Sequence, residues 1–287
     1  MTVPLCFRQS IANGVEVDWG DGSAVETFAG SDSTNILPTH TYKKIGHYVI
    51  TLNPLNNCVI SLGGNSNSFC VMGSTNNVNK VYLNMLYKVE IGNNVTNIDN
   101  YAFAYCFALS IITIPNNITK IGEGAFYYCY NLSNIIMPSK LSSLEKATLS
   151  GCYTISRIIL SHDITNLGNN AITNCYCLLR ITLPSCITKV ENYGLAGNYS
   201  LSSIVIPNKL SKINSMSFGS CYGVAYYDFS LFSTIPTLMS TTAFQNIASD
   251  CKIIVPDDLY DDWISASNWS TYASYIIKKS DWGASQV

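Results

Sequence analysis

Hydrophobic and polar residues recur along the middle of the chain with a fixed period. Six consecutive units of 23 residues run without a gap from 86 to 223, and each begins with Leu or Ile. Apolar residues return at positions 1, 4, 6, 10, 13 and 18 of the unit, and the alternation at positions 4 and 6 predicts a strand. Because one unit cannot bury its own apolar residues, the units must stack on one another. The pattern therefore predicts a solenoid.

Position 21 of the unit is a cysteine in five units and an asparagine in the remaining one. Stacked units give the same position nearly the same surroundings, so we expect small buried residues there, with the cysteines reduced. Parallel side chains on adjacent units do not close to the Cβ separation that a disulfide needs. A nucleophile needs a nearby base, and the chain has only three histidines. The predicted structural core positions are Cys106, Cys129, Cys152, Cys175, Asn198 and Cys221.

An aromatic residue follows at position 22 of every unit. This position is next to an inward one, so we expect its side chain at the rim of the strand face, partly in contact with water. Position 5 adds apolar residues that point outward. Such a surface can bind a protein or a glycan; the alternative is that the tyrosines stack on one another and shield strand edges. The candidate binding surface comprises Phe107, Tyr130, Tyr153, Tyr176, Tyr199, Tyr222, Ile136, Ile159 and Val205.

The repeated pattern LxxIxIPxxIxxI…AFxxCxx resembles the BspA-like family of leucine-rich repeats, found on surface proteins of gut and oral bacteria and some mucosal protozoa. The resemblance covers about 86–223, and the third and fourth units depart from it with Leu149 and Ile172 in place of Phe. It implies an extracellular or cell-surface location. It also implies adhesion to host or microbial macromolecules through the repeat face.

The N-terminal segment has a different pattern. GVEVDWGDGSAVETF alternates, breaks at Asp21-Gly22 and alternates again, which predicts a hairpin. Together with THTYKKIGHYVITL, the segment resembles a PKD-like immunoglobulin-type β-sandwich over roughly 1–62. Asp18 and Asp21 could bind calcium, but we expect them to serve the turn because few other carboxylates lie nearby. Residues 63–77 are rich in Gly, Ser and Asn and predict a linker, and 78–84 predicts a partial first rung that caps the solenoid.

The C-terminal segment predicts a closing cap. Residues 224–256 are interpreted as degenerate rungs with a three-residue insertion, and the next segment has helical spacing with Asp257 and Asn268 as N-caps. The residues at that spacing are Leu259, Trp263, Trp269, Tyr272 and Ile276. The predicted fold is a leucine-rich repeat solenoid, mainly β with short helical turns. The predicted domains are a PKD-like domain with its linker at 1–77, the solenoid at 78–256 and a helical cap at 257–287.

Composition narrows the function classes. Charged residues make up 12% of the chain and its net charge is −2, which gives no electrostatic reason to expect a nucleic acid or an anionic membrane as partner. Apolar runs fall short of the roughly 18 residues that span a bilayer, so we expect no direct membrane insertion. The first residues show no secretory signal. The sequence has no GxSxG, HExxH, P-loop or dinucleotide-binding glycine motif, and His162-Asp163 has no evident nucleophile beside it.

These observations predict a binding protein without catalysis, cofactor or metal. We expect it to be a monomer that recognises an extracellular protein or glycan. One alternative is a carbohydrate-binding module that uses the tyrosine column. Another is a structural spacer of a bacterial or phage surface fibre.

Overall fold

The N-terminal part of the chain forms seven short strands in the described residues. The computed structural model describes residues 2–31, 34–44, 46–56, 58–63, 69–70, 73–74 and 84–284. The strands are β1 (Thr2–Pro4), β2 (Phe7–Gln9), β3 (Val15–Asp18), β4 (Glu26–Thr27), β5 (Thr39–Thr41), β6 (Thr51–Pro54) and β7 (Ile60–Leu62). β4, β3 and β6 form an antiparallel sheet, and β1 pairs with β5. The fully buried Trp19 lies among these strands, and its backbone carbonyl accepts a hydrogen bond from the Tyr42 hydroxyl.

The predicted hairpin is confirmed, because β3 pairs antiparallel with β4 across the Asp21-Gly22 turn. Asp18 Oδ1 accepts a hydrogen bond from the Gly20 N–H at 2.8 Å, and Asp21 Oδ1 accepts one from the Ser23 N–H at 3.0 Å. Both carboxylates therefore serve the turn, as expected. The next strands, β8 (Phe69–Cys70) and β9 (Gly73–Ser74), form a small antiparallel pair. Most of the predicted linker at 63–77, and the predicted first rung at 78–84 except for Asn84, lie outside the described residues.

The repeat region is a β-solenoid of about eight turns with two strands in most turns. Its strands are β10 (Lys88–Glu90), β11 (Val95–Ile98), β12 (Ile111–Thr113), β13 (Lys120–Ile121), β14 (Asn134–Ile136), β15 (Arg157–Ile159), β16 (Asn166–Leu167), β17 (Arg180–Thr182), β18 (Lys189–Val190), β19 (Ser203–Val205), β20 (Lys212–Ile213), β21 (Tyr226–Asp228), β22 (Thr237–Leu238), β23 (Lys252–Val255) and β24 (Ile276–Lys278).

These strands form two parallel ladders. The first ladder takes positions 3 to 5 of each unit, for example where β10 pairs with β12 and β17 with β19. The second takes positions 12 and 13, as in the sheet β16-β18-β20-β22. Only the first ladder follows from the alternation in the sequence. Between the ladders lies one core, which includes the rings of Phe103 and Phe126, parallel within 1° at 5.5 Å between centroids. The predicted solenoid is therefore confirmed.

The N-terminal strands continue the second ladder. β7 pairs parallel with β11 of the first rung and antiparallel with β2, so the sheet runs in the order β13-β11-β7-β2. The Arg8 guanidinium forms an ion pair with Asp99 in the first rung. The Gly63 Cα lies so close to Ala102 that a Cβ there would be 3.0 Å from the Ala102 backbone. The antiparallel β2 thus covers the edge that the first rung would otherwise expose.

The C-terminal end matches the predicted helical spacing in part, because Leu259, Trp263, Trp269 and Tyr272 lie in short helices. A 3-10 helix (Asp257–Leu259), α1 (Tyr260–Ser265), a second 3-10 helix (Trp269–Tyr272) and α2 (Lys279–Ala284) are short. The placement of Ile276 on a helix is wrong, because it lies in β24, which pairs parallel with β23 as one more rung. Asn268 does lie at the N-cap position of the second 3-10 helix but makes no side-chain capping hydrogen bond, whereas Asp257 lies inside the first 3-10 helix and Pro256 takes its N-cap position. Asp257 instead accepts from the Ser280 N–H, and the Asn268 amide donates to the Leu238 carbonyl.

Trp263 and Trp269 are both buried at this end, with their ring centroids 5.4 Å apart. The Trp269 indole N–H donates to the Pro236 carbonyl at 2.8 Å, which satisfies its polar group within the core. Of the helices in the described part of the chain, none combines the length and the apolar character that a membrane span requires.

Candidate functional site: the strand face and its aromatic column

The position-21 residues form a buried column that links successive rungs. The sulfur atoms of Cys129, Cys152, Cys175 and Cys221 lie 3.1 to 3.3 Å from the carbonyl oxygen of position 18 in the preceding rung, each as a hydrogen-bond donor. All four residues are fully buried. In addition, the backbone amide of Cys129 hydrogen-bonds the sulfur of Cys152, and that of Asn198 bonds the sulfur of Cys221. The thiols of Cys152, Cys175 and Cys221 therefore both donate to and accept from the rung before them.

Asn198 performs the same two tasks with separate atoms. Its amide nitrogen donates to the Ile172 carbonyl at 2.9 Å, and its Oδ1 accepts from the Cys175 N–H at 2.9 Å. The amide also donates to the Leu195 carbonyl at 2.7 Å. An asparagine can therefore replace one cysteine of the column, because the site needs a buried donor and a buried acceptor rather than a sulfur atom.

Burial suppresses the chemistry of these thiols. Desolvation raises the pKa of Cys152 to about 12, and it raises the pKa of Cys221 to about 12 as well. A thiol must ionise to act as a nucleophile, so the column is inert at neutral pH. Among the described cysteines, Cys177 is exposed and Cys186 is partly exposed.

The position-22 rings form a continuous stack along the solenoid. Neighbouring centroids from Phe107 to Tyr199 are 4.6 to 4.9 Å apart, with interplanar angles of 11 to 23°. The last step, from Tyr199 to Tyr222, is 5.3 Å with an angle of 37°. The first four rings are half-buried, and only Tyr199 and Tyr222 are exposed. The spacing follows the rung spacing of a parallel ladder, about 4.8 Å.

This stacking limits what the column can bind. Each inner ring lies between its two neighbours, so an incoming sugar ring finds no free face on the inner rings. The column presents ring edges and phenol hydroxyls instead. It precedes the strand of the next unit by a few residues, as Tyr130 precedes β14, so it borders the strand face.

The outward positions of the first ladder form the face itself. Ile136 and Ile159 are directly paired across β14 and β15, whereas Thr182 separates Ile159 from Val205. The side chain of Ile136 is 59% exposed and that of Val205 54%, while Ile159 is half-buried. The structure therefore brings two of the three predicted apolar residues into contact on neighbouring strands and places the third two strands away.

Sequence reasoning missed further residues of this face. Ile111 at position 3 and Leu179 at position 2 are also exposed, Leu179 to 55%. The arginines Arg157 and Arg180 take position 3 of adjacent rungs and point outward. The signal was available, since the alternation that buries position 4 exposes positions 3 and 5 equally.

A second tyrosine cluster adjoins the column in the first two rungs. The rings of Tyr127 and Tyr128 are 4.1 Å apart, and Tyr128 lies 5.6 Å from Tyr130. The Tyr101 hydroxyl donates to Glu123 Oε1 at 2.7 Å, and burial raises the pKa of Tyr101 to about 12. The hydrogen bond from Lys146 lowers the pKa of Glu123. The Tyr-Tyr doublet in GAFYYCYNL was the sequence signal for this cluster.

The site geometry contains no arrangement typical of a metal centre. Among the residues that the structure describes, no three His, Cys, Asp or Glu side chains are grouped so that they could hold an ion. His162 Nε2 lies 3.0 Å from Asp163 Oδ1, and both side chains are exposed.

Comparison with solved structures finds other leucine-rich repeat proteins. One from Eubacterium ventriosum has a TM-score of 0.50 and 23% identity over 56% of this chain, and the match spans 43% of that protein's length. A leucine-rich cell surface protein from Faecalibacterium prausnitzii has a TM-score of 0.31 and 14% identity, over 96% of this chain and 97% of that one. A leucine-rich repeat protein from T. pallidum has a TM-score of 0.48 and 16% identity, over 71% of this chain and 86% of that one. A comparison with curated proteins finds no match.

The family comparison agrees with the repeat geometry. The sequence matches the family described as "BspA type Leucine rich repeat region (6 copies)" over residues 78–199 and 188–261. These ranges contain the regular units, the aromatic column and most of the strand face. The chain belongs to the BspA-type leucine-rich repeat family.

Proposed function

We propose that this chain is a non-catalytic surface or secreted protein that binds an extracellular protein through the strand face and the edge of the aromatic column. The N-terminal strands would form a PKD-like domain that also caps the solenoid. Family membership supports a repeat protein, and the Faecalibacterium prausnitzii protein, which is described as a cell surface protein, is consistent with the location.

One observation carries the proposal. Translational repetition lines up outward apolar side chains on a parallel ladder, with Ile111, Ile136 and Val205 all exposed on the same face. Apolar residues that recur on one face mark a protein-binding surface more often than scattered ones do. The adjoining tyrosine hydroxyls supply a polar rim, as protein interfaces require.

The geometry favours a protein over a glycan as the partner. A carbohydrate module uses ring faces, and in this column the inner ring faces already lie against one another at 4.6 to 4.9 Å. Apolar side chains beside the column suit the buried centre of a protein interface.

The test is binding of the full chain to a panel of purified extracellular matrix proteins and to a glycan array. We expect a matrix protein to bind, and Ile136→Ser with Val205→Ser to weaken that binding by roughly tenfold or more. The matched control is Val49→Ser, which removes a side chain that is 77% exposed in the N-terminal part. Equal binding by all variants, or binding to glycans alone, would overturn the proposal.

A further inference from the structure

We propose that Arg157 and Arg180 form an anion clamp on the strand face, and that it recognises a carboxylate of an acidic segment in the partner protein. The inference deepens the proposed function and rests on it. It names the charge of the partner and the rungs at which the partner docks.

The two arginines are neighbours because they take the same position in adjacent rungs. Both take position 3 of their units, on β15 and β17 of adjacent rungs, and the residue after each is buried. Their side chains therefore leave the same face about 4.8 Å apart, the spacing of parallel strands. Two arginines whose backbones have that separation can bring their guanidinium groups to one carboxylate or hold two neighbouring ones.

The charges of this pair are not neutralised by the protein. In the part of the chain that the structure describes, the ion pairs of Arg and Lys involve Arg8, Lys88, Lys146 and Lys189 but neither member of the pair. At positions 3 and 5 the flanking rungs carry Asn134, Ile136, Ser203 and Val205. Asp163, which follows β15 in the chain, lies against His162.

The pair lines a groove with both charged and apolar walls. The groove has a volume of about 460 Å³, and its lining includes Ile159, Leu160, His162 and Pro184 beside the two guanidinium groups. Two close like charges repel one another, so the arrangement is stabilised by an anion that binds between them.

The apolar residues of the groove favour an acidic peptide over an anionic glycan as the partner. A sulfated or sialylated glycan would place hydrated hydroxyls against Ile159, Leu160 and Pro184 and would gain little from them. An acidic peptide segment with an apolar residue beside its Asp or Glu satisfies both parts of the groove. The observations therefore favour a polypeptide carboxylate.

The experiment uses the full chain and a displayed random-peptide library, followed by synthetic copies of the selected peptides. We expect selected peptides to be enriched in Asp or Glu next to apolar residues, and their affinity to fall as salt is raised. Replacing their Asp and Glu by Asn and Gln should weaken binding by roughly tenfold or more.

Variants locate the site. Arg157→Gln with Arg180→Gln should abolish peptide binding, and Arg157→Lys with Arg180→Lys should retain part of it, because lysine keeps the charge but not the planar donor pair. Lys120→Gln, which removes an exposed cation from β13 on the other ladder, is the matched control and should bind normally. Circular dichroism on each variant verifies that the solenoid is intact.

The outcomes separate this inference from the proposed function. Binding that survives in the Gln double variant but is lost in Ile136→Ser with Val205→Ser overturns the clamp and leaves the binding face standing. Binding of sulfated or sialylated glycans that depends on the two arginines overturns the peptide partner. Peptides selected without acidic residues overturn the clamp as well.

Discussion

At the residue scale, the buried column keeps the same hydrogen bonds from one unit to the next although the amino acid changes. Cys175 presents one atom that donates to Leu149 and also accepts from the rung before it, while Asn198 divides these tasks between Nδ2 and Oδ1. The sequence predicted a small buried residue at position 21. It could not predict that the same atom also accepts a hydrogen bond, because the donor is a backbone N–H of another rung.

This division gives a substitution test at Asn198. Asn198→Cys should retain a donor for the Ile172 carbonyl and an acceptor for the Cys175 N–H, so we expect a loss of about 1 kcal/mol in the free energy of unfolding. Asn198→Leu leaves the Ile172 carbonyl and the Cys175 N–H without a partner and should cost about 2–6 kcal/mol, since each unsatisfied buried group costs about 1–3 kcal/mol. Urea denaturation followed by circular dichroism measures the difference. Equal tolerance of Leu and Cys would show that the hydrogen bonds do not matter.

At the element scale, the bent segment between the second ladder and position 21 depends on left-handed residues. Position 16 has a positive φ in every regular unit, from Tyr101 at 57° to Met216 at 54°, and so does position 20, from Tyr105 at 61° to Ser220 at 56°. The N–H groups of positions 16, 18 and 20 then donate to the next rung, as Gly124 donates to Lys146 and Phe126 to Thr148. The segment is therefore a third ladder of hydrogen bonds without being a strand.

Gly151 tests this element. Its φ is 78°, and a Cβ there would lie 2.1 Å from a ring carbon of Tyr128 in the preceding rung. Gly151→Ala should lower the free energy of unfolding by about 2–4 kcal/mol, from the left-handed backbone and the overlap together. Gly92→Ala is the control, since its Cβ would meet nothing within 4 Å, and we expect a change of less than about 1 kcal/mol. Similar denaturation midpoints for the two variants would contradict this account.

The sequence predicts those elements whose alternation of apolar and polar residues is visible within a single unit. Positions 4 and 6 alternate, so the first ladder and its core were predictable from Ile112 and Ile114 alone. The second ladder has only two residues in most rungs, as in β16 and β18, and gives no alternation. The spacing of Trp269, Tyr272 and Ile276 fits a helix, but pairing with β23 determines the structure at Ile276. The outward positions of Arg157 and Arg180 were visible in the sequence, yet only the structure shows that both arginines line one groove.

At the scale of the whole molecule, the two ends of the solenoid are closed by different means. The N-terminal end is covered by β7 and the antiparallel β2, and the C-terminal end by β24 with the buried pair of Trp263 and Trp269. Between the two ends, the stability of each rung depends on its contacts with the neighbouring rungs. The effects of a residue type that recurs at one position of every unit therefore add up along the solenoid.

Because of the buried thiols, the stability of the folded protein decreases as the pH rises in the alkaline range. Burial raises the pKa of Cys152 from 9.0 to about 12, and that of Cys221 likewise. Above pH 9 the unfolded chain loses these protons while the folded chain keeps them, so the unfolded state is favoured increasingly until about pH 12. The stabilising contribution is complete below pH 9 and is lost as the pH rises towards 12.

We therefore expect the free energy of unfolding of the reduced protein, measured by urea denaturation, to be constant from about pH 7 to 8.5. Above pH 9 it should fall by about 1.4 kcal/mol per pH unit for each buried thiol. Cys152→Ala is the discriminating variant. It should be less stable than the parent at pH 7, because it removes the donor to the Phe126 carbonyl, but its stability should fall less steeply above pH 9, because one titrating group is gone. A parallel fall in both proteins would assign the alkaline transition to the tyrosines, whose ionisation falls in the same range and which the substitution leaves unchanged.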